Sequence, residues 1–240
     1  MALLSYISDE DFLSEVEVLL SKAQKKRDKI DKTFNKNVID PFGALFESPW
    51  VSSHAEWRDA EIARQCQKTL QNHVGTFHQK VLGHVQGWQD MGIGGNVDLL
   101  HEEKKIIAEI KNKYSTVTGG NLADRYYSLD SLISPKSSRY KGYCAYFVNI
   151  IPKKPERFNM LFTPSDKERG EPCSPNENIR NIDGASFYEL VTERKYALKE
   201  LHTALPFAIE KVYRERFGRE DFSIPDKESF AQYFNLAYGI

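Results

Sequence analysis

The fold is decided by two neighbouring segments, NVDLL at residues 96–100 and IIAEIKNK at residues 106–113. Apolar and polar residues alternate in the second segment, a pattern typical of a β-strand with one buried face. Ile106, Ala108 and Ile110 fall on one face, and the other face carries Ile107, Glu109, Lys111 and Lys113. The first segment predicts a short strand with a single aspartate, Asp98. If the two strands pair as a hairpin, Asp98 comes close to Glu109.

Asp98, Glu109 and Lys111 would together provide a site for a hard divalent cation with a water molecule beside it. Hydrolysis of a phosphodiester needs a nucleophile made from water and relief of charge on the phosphoryl oxygens, and Mg²⁺ supplies both. This ion prefers one or two carboxylates, so Asp98 and Glu109 suit it. Lys111 would then orient or help to deprotonate the attacking water. The alternative is an ordinary half-exposed sheet, because Glu-x-Lys on the wet face of a strand is common by chance.

The spacing of these residues carries a family resemblance. Asp98, ten intervening residues and then Glu109-Ile110-Lys111 resemble the signature of the PD-(D/E)XK nucleases, with Val97 where that signature has proline. Residues 108–114 are similar to type II restriction endonucleases in particular. NHVGTFHQ at 72–79 and DGASFY at 183–188 also resemble these enzymes, especially the group that cuts GGNCC-type sites. The looser similarity spans roughly residues 54–210.

The resemblance implies an α/β fold in which helices flank a central mixed β-sheet. It also implies an endonuclease that cuts duplex DNA with Mg²⁺ as cofactor, in a bacterial or archaeal cell. Asp98 and Glu109 would bind the metal, and Lys111 would position the water. A homodimer is expected, because a twofold protein matches a palindromic site and places one active centre on each strand.

The composition predicts an ordinary globular protein. A chain of 240 residues with 40% hydrophobic and 28% charged residues suits a single α/β domain and argues against wholesale disorder. No apolar run has the length of a membrane span, and residues 1–6 lack the features of a signal peptide. The widely spaced Cys66, Cys144 and Cys173 fit neither a disulfide framework nor a zinc site, so a reducing cytoplasm is expected.

The charge is distributed unevenly along the chain. The formal net charge is only −1, which by itself argues against a simple DNA-binding protein. Residues 104–157, however, hold 11 basic and 4 acidic residues, and this excess follows directly on the proposed catalytic strand. A bound polyanion would meet a positive field there, although a solvated lysine-rich surface is the alternative. The candidate DNA contacts are Lys113, Tyr114 and Thr116 after the strand, and Lys136, Arg139 and Lys141 in a later basic loop.

Helices are predicted before the hairpin. The pattern indicates a helix over residues 8–34, a loop over 35–52 and a long helix from Ser53 to Leu82, with a possible break near Gly75. Positions at helical spacing, expected in the core, are Ala63, Leu70, Val74, Phe77 and Val81. Four histidines do not share one face at metal-ligand spacing, so core or surface positions are expected for His73, His78, His84 and His101.

Glu56 allows two interpretations. Ser53-x-x-Glu56 has the spacing of a capping box, in which Glu56 would stabilise the start of the long helix. The residue also shares the inward stripe of that helix, seven positions before Ala63, and could carry a carboxylate to the active site. The resemblance supports the second interpretation, because such nucleases often bring an acidic residue from an early helix to the metal. Glu61 is the other candidate for that role.

The rest of the chain predicts helices and strands around the hairpin. Glycines over 91–95 and a polar turn from Thr116 to Asn121 flank the catalytic segments, and a helix over 122–133 follows. Next come a strand over 143–151, a possible strand over 158–162, a long loop over 163–181 and helices over 185–217 interrupted at Pro206. The aromatic tail over 222–240 could pack on the core or form a dimer contact. One nuclease domain over 1–240 is expected, with helical segments at about 8–82 and 185–240.

Three rival functions remain open from the residues alone. A repair or recombination nuclease of the same fold would recognise DNA structure instead of sequence. A DNA-binding protein could keep the fold and lack catalysis. An α/β protein unrelated to nucleic acids could carry the Glu-x-Lys strand as a surface feature.

Overall fold

A computed structural model of the chain describes residues 2–92, 94–117 and 121–239, without the side chain of Asp31. The predicted turn at Thr118, Gly119 and Gly120 therefore lies outside the described residues. The helices are α1 (Asp9–Asp28), α2 (Ile30–Thr33), α3 (Pro41–Glu47), α4 (His54–Gly83), α5 (Leu122–Ile133), α6 (Gly184–Thr192), α7 (Ala197–Glu215) and α8 (Lys227–Tyr238). The strands are β1 (Gln89–Asp90), β2 (Leu99–His101), β3 (Ile106–Lys113), β4 (Cys144–Ile151), β5 (Asn159–Leu161), β6 (Ser165–Asp166), β7 (Glu171–Pro172) and β8 (Ile179–Asp183).

The main sheet is mixed, as predicted. Its strand order is β1-β2-β3-β4-β8-β5, and β6 pairs with β7 in a separate ribbon. β3, β4 and β8 are parallel to one another, whereas β1, β2 and β5 join their neighbours in antiparallel pairs. The helix α5 connects the parallel strands β3 and β4. The architecture is therefore that of a restriction-endonuclease-like α/β fold.

Two hydrophobic clusters cover the two faces of the sheet. Ile106, Ala108 and Ile110 of β3 belong to a cluster that includes buried residues of α1, α4, α6, α7 and α8. Ile107 belongs to the opposite cluster, which α5 contributes to. The alternation predicted for β3 is therefore confirmed, and Glu109 and Lys111 share the α5 face of the sheet with Ile107.

The long helix α4 differs from its prediction in two ways. It runs without a break for 30 residues, and Gly75 lies over β3, where an added Cβ would be 3.7 Å from the Cβ of Asn112. A single internal glycine costs about 1 kcal/mol relative to alanine, which packing against a sheet readily offsets. Ala63 is exposed, so its expected place in the core is wrong, while Phe77 and Val81 are buried as predicted. The first half of α4 extends beyond the sheet.

The predicted helix over 8–34 and loop over 35–52 are also corrected. The first helix ends at Asp28, and short helical segments follow it. Within the predicted loop, the side chain of Asp40 accepts a hydrogen bond from the backbone N–H of Phe42 and begins α3, with Pro41 in its first turn. Proline suits this position because its missing N–H would have no helical partner. The Asp40-Pro41 pair that indicated a break is a helix start.

The C-terminal half contains a strand that the sequence did not reveal. The strand β8 begins inside the predicted loop over 163–181 and lies between β4 and β5 in the sheet. It has five residues and follows a proline-rich stretch, so it is too short for an alternating pattern to be recognised in the sequence. The interruption predicted at Pro206 is wrong, because α7 continues through this residue. The helical segment is interrupted earlier, at Glu193, which ends α6 with φ 58°. Burial of one face of α7 compensates for the hydrogen bond that proline cannot make.

The aromatic tail forms α8 and packs on the core through Phe234 and Tyr238, which are both buried. The hydroxyl of Tyr238 donates to the carbonyl of Ile150 at 2.8 Å. None of the helices formed by the described residues combines the length and the apolarity that crossing a membrane requires.

A buried histidine makes folding stability depend on pH. Nδ1 of His78 on α4 lies 2.7 Å from the hydroxyl of Tyr188 on α6, and desolvation by burial lowers the pKa of His78 from 6.5 to about 4. The unfolded chain therefore binds more protons than the folded chain between these values, so stability is full above pH 6.5 and is lost as the pH falls towards 4. We expect the free energy of unfolding to be roughly 2 kcal/mol lower at pH 5 than at pH 7 from this group.

Urea denaturation of His78→Gln at both pH values tests this expectation, because the substitution should reduce the difference by that amount. The exposed His54 provides the matched control, His54→Gln. An unchanged pH dependence in His78→Gln would assign the acid sensitivity to other groups.

Candidate active site

The β2–β3 hairpin brings Asp98 near Glu109. Leu99 pairs with Ala108 in the antiparallel register, and the N–H of Asp98 donates to the carbonyl of Ala108 at 2.9 Å. Asp98 comes one residue before Leu99, and Glu109 comes one residue after its partner Ala108, so the two residues lie at the same end of the paired strands. The hairpin predicted from the sequence is therefore confirmed.

Asp98 is held by the backbone of the neighbouring strand. Its Oδ2 accepts a hydrogen bond of 2.6 Å from the N–H of Ile110. Desolvation by burial raises the pKa of Asp98 above its ordinary value, against the opposing effects of this hydrogen bond and of the Lys111 ammonium. A raised pKa means that the carboxylate is poorly solvated where it lies, and a cationic ligand would stabilise its charged form.

Glu109 is paired with two cations. The Nζ of Lys111 lies 2.8 Å from its Oε1, and Nη1 of Arg125 lies 3.7 Å from the same oxygen. The side chains of Glu109 and Lys111 are 13% and 23% exposed, so this ion pair is screened less than one at the surface. Arg125 comes from the first turns of α5, and sequence reasoning missed it because the contact depends on how α5 crosses the sheet. The two carboxylates of the site are thus balanced by two cations.

The donor atoms suit a hard divalent cation. Asp98 and Glu109 offer carboxylate oxygens, and Mg²⁺ is usually bound by one or two carboxylates while it keeps several waters. Across residues 2–92, 94–117 and 121–239 no three His, Cys, Asp or Glu side chains cluster as a metal cage. Two neighbouring carboxylates with a lysine beside them therefore fit an ion that retains most of its waters better than one that needs a full set of protein ligands.

The helix α4 supports the hairpin from the other side. The Nε2 of Gln79 donates to the carbonyl of Asp98 at 3.1 Å and to Oδ1 of Asp90 at 2.6 Å. Asp90 also forms an ion pair with Lys80 and accepts a hydrogen bond from the N–H of Gly92 at 2.9 Å. Gln79 therefore fixes the backbone of Asp98 relative to α4.

A second polar feature lies beside Lys111 in the sheet. Lys111 is in register with Asn149 of β4, so both side chains lie on the same face. Asn149 is buried, and its Nδ2 donates to Oδ1 of Asn181 on β8 at 2.9 Å. The strand around Asn149 was predicted only as a buried strand, and Asn181 fell within the strand that the sequence did not reveal. These two amides continue the polar face from Lys111 towards the centre of the sheet.

Glu56 and Glu61 do not reach this site. The N–H of Glu56 donates to Oγ of Ser53, and Oε2 of Glu56 accepts from the N–H and Oγ of Ser52 at 2.8 and 2.6 Å. Glu56 therefore stabilises the start of α4, as the capping interpretation predicts, but its carboxylate binds Ser52 instead of the N–H of the N-cap residue Ser53. At 1.5 Å per residue, Glu56 lies about 35 Å along α4 from Gln79, which contacts Asp98. Glu61 is nearer but is bonded to Arg64 and Gln65 at 2.7 and 2.9 Å. The catalytic role proposed for Glu56 is not supported within one chain.

The candidate DNA contacts separate into two groups at opposite ends of β3. Lys113, Tyr114 and Thr116 are exposed at its C-terminal end, close to Lys111. Lys153 and Lys154, which sequence reasoning missed, are exposed just after β4 at the same end, because Lys113 pairs with Ile151.

The basic loop lies at the other end of these strands. It leads into Cys144, which pairs with Ile106, and an eight-residue strand separates the two ends by roughly 23 Å. Its cations are engaged locally, since Arg139 contacts Glu102 at 3.3 Å and Lys141 donates to the carbonyl of Ser134 at 2.8 Å. Lys136 is exposed in the same loop. The structure therefore does not bring Lys136, Arg139 and Lys141 together with the site.

Comparisons with known proteins place the chain in a family. The model of the Eco47II restriction endonuclease family matches residues 4–214. The chain is 70% identical over 239 residues to the type II restriction enzyme Eco47II of Escherichia coli. This alignment covers 100% of both chains. It is 33% identical over 226 residues to the type II restriction enzyme Sau96I of Staphylococcus aureus. That alignment covers 92% of this chain and 85% of the relative.

Proposed function

Because the chain belongs to the Eco47II restriction endonuclease family and is a site-specific endodeoxyribonuclease, we propose that it cuts duplex DNA at a short palindromic site with Mg²⁺ as cofactor. The observation that supports this chemistry is that Asp98 and Glu109 lie at the same end of the β2–β3 pairing, with the Nζ of Lys111 2.8 Å from Oε1 of Glu109. A site of the GGNCC type is proposed from the resemblance of residues 72–79 and 183–188. Type II restriction enzymes generally need a divalent metal, and the oxygen donors of this site suit Mg²⁺.

Asp98 and Glu109 would hold the cation. Bound there, Mg²⁺ supplies a water of lowered pKa and offsets the charge that develops on the phosphoryl oxygens. The backbone N–H of Ile110 orients the Asp98 carboxylate, so this ligand needs little reorganisation. Lys111 has three N–H donors on a flexible stem, and it orients the attacking water for in-line displacement at phosphorus. By family analogy the products carry a 5′-phosphate and a 3′-hydroxyl.

Arg125 and the cations after β3 and β4 would bind the phosphates that flank the scissile bond. Arg125 is 45% exposed and lies 3.7 Å from Glu109, so its guanidinium can turn from the carboxylate to a phosphate oxygen. Lys113, Lys153 and Lys154 extend the positive charge along the same edge of the sheet. Contacts of this kind set the position of the duplex and carry no sequence information.

We also propose that the enzyme works as a cytoplasmic homodimer in which each chain forms one nuclease domain. A palindromic site has twofold symmetry, and a twofold dimer presents one active centre to each strand. The single set of Asp98, Glu109 and Lys111 in each chain supports this arrangement, because both strands must be cut.

Digestion of unmethylated phage and plasmid DNA with Mg²⁺, and separately with Ca²⁺, tests the proposal. We expect discrete fragments with Mg²⁺, and a mobility shift without cleavage with Ca²⁺. Mapping of the fragment ends identifies the recognition site and the stagger. Cleavage confined to branched or nicked DNA would point instead to a structure-specific nuclease, and a mobility shift without cleavage in either ion would point to a non-catalytic DNA-binding protein.

A further inference from the structure

A helical arm projects from the domain at the far end of α4. We define the arm as residues 29–65, which include α2, α3 and the first turns of α4. Ile30, Phe34 and Trp57 are buried within it but belong to neither of the two clusters that cover the sheet. Gln65 is buried beside them, where its side chain bonds to Asn37 and Glu61 at 3.0 and 2.9 Å. The arm therefore has a small core of its own.

The outer surface of the arm is apolar. Its stripe consists of Val38, Phe42, Leu45, Phe46 and Trp50, with exposed fractions of 97%, 73%, 72%, 80% and 79%. Phe42, Leu45 and Phe46 share one face of α3 because they are three and four residues apart. Contiguous exposed apolar groups of this size on a protein surface mark an interaction site.

The charges around the stripe argue against DNA as the ligand. No lysine or arginine occurs between residues 37 and 57. The three carboxylates of the segment are engaged within the arm: Asp40 caps α3, Glu47 accepts hydrogen bonds from Trp57 and Arg64, both at 2.9 Å, and Glu56 accepts from Ser52. Binding to a phosphate backbone depends on cations, so an uncharged apolar surface suits a protein partner.

The same surface also contains a groove that could receive such side chains. It lies between α3 and the start of α4 and has a volume of about 730 Å³. Its apolar lining includes Phe34, Ile39, Leu45 and Trp57, and polar residues, among them His54 and Arg58, also line it. Projecting rings and an apolar groove side by side make the surface self-complementary, as a twofold interface requires. We propose that the arm stripe is the dimer interface and that its partner is the arm of a second copy of this chain.

The apolar area of the stripe is close to the area that a stable dimer interface buries on each partner. Aromatic side chains present 150–250 Å² each, so the stripe would remove on the order of 600–700 Å² of apolar surface per chain from water. A stable protein–protein interface buries about 800 Å² per partner, which the rim of the groove would complete. The stripe also lies at the far end of α4 from Gln79, so its burial leaves the Asp98–Glu109 face open to DNA.

This inference rests on the proposed homodimer and locates its interface on the arm. The test therefore distinguishes failure of the homodimer from failure of the interface assignment. We would measure the mass of the full-length protein at micromolar concentration by sedimentation and light scattering. The arm variant is Phe46→Ser with Trp50→Ser, and Phe42→Ser is an independent second variant. The matched control is Tyr233→Ser with Leu236→Ser on α8, whose side chains are 60% and 71% exposed.

We expect a dimeric wild-type protein and control, and a monomeric arm variant whose dimer dissociation constant rises at least a hundredfold. Far-ultraviolet circular dichroism should be unchanged, since the altered side chains contribute little to the folded monomer. A monomeric α8 variant beside a dimeric arm variant would overturn the assignment of the arm and leave the homodimer standing. A wild-type protein that stays monomeric with and without its DNA site would overturn both.

Discussion

Replacing Glu109 with glutamine should lower the rate of DNA cleavage with Mg²⁺ by at least about a thousandfold, or about 4 kcal/mol of transition-state stabilisation. The amide keeps the size of the side chain but removes the charge of the proposed metal ligand and the ion pair with Lys111. Binding of DNA should persist, because Glu109 repels phosphates and the cations of the site remain. Single-turnover cleavage with saturating enzyme separates the chemical step from binding.

The control for this change lies on the same hairpin. Glu103 is exposed in the turn between β2 and β3, and Glu103→Gln makes the identical chemical change outside the site. Its cleavage rate should stay within about threefold of the wild-type rate, since surface substitutions of this kind are close to neutral. Equal loss of activity in both variants would show that the hairpin, and not the Glu109 carboxylate, was damaged.

Replacing Lys111 with methionine should lower the single-turnover rate by about a hundredfold to a thousandfold, the usual contribution of a positioned proton-transfer group. Methionine keeps an unbranched side chain of similar length, and Glu109 retains Arg125 as a neighbouring cation at 3.7 Å. The dissociation constant for DNA measured with Ca²⁺ should change little, because the role proposed for Lys111 is to orient the attacking water and not to bind DNA.

Lys113→Met provides the contrast, because Lys113 lies two residues further along the same face of β3 but is exposed. It should weaken DNA binding and reduce the slope of log affinity against log salt by about one, while the rate at saturation stays nearly unchanged. If Lys113→Met slows the saturated rate and Lys111→Met does not, the water-positioning role belongs to Lys113.

The parts of the site that depend on local pattern were predictable. Alternation along residues 106–113 assigned the faces of β3, and the spacing of the two segments indicated the hairpin that brings Asp98 near Glu109. Both features depend on residues within a dozen positions of each other, where strand geometry limits the alternatives.

The parts that depend on the crossing of distant elements were not predictable. Arg125 reaches Glu109 only because of how α5 crosses the sheet, and Asn149 lies beside Lys111 only through the parallel register of β3 and β4. Glu56 shows the opposite error. The helical periodicity predicted that Glu56 faces the core and could reach the active site. Because α4 is 30 residues long, Glu56 instead lies well beyond the sheet.

The β2–β3 hairpin also has a consequence for the order of folding. Asp98 and Glu109 are eleven residues apart in the chain, so only a short loop must close to bring them together. Their pairing has the low contact order that favours early formation. The contacts of Lys111 with β4 and of Glu109 with α5 must wait for the longer crossover to close. We therefore expect the hairpin that carries Asp98 and Glu109 to form before the slower, non-local half of the site is assembled.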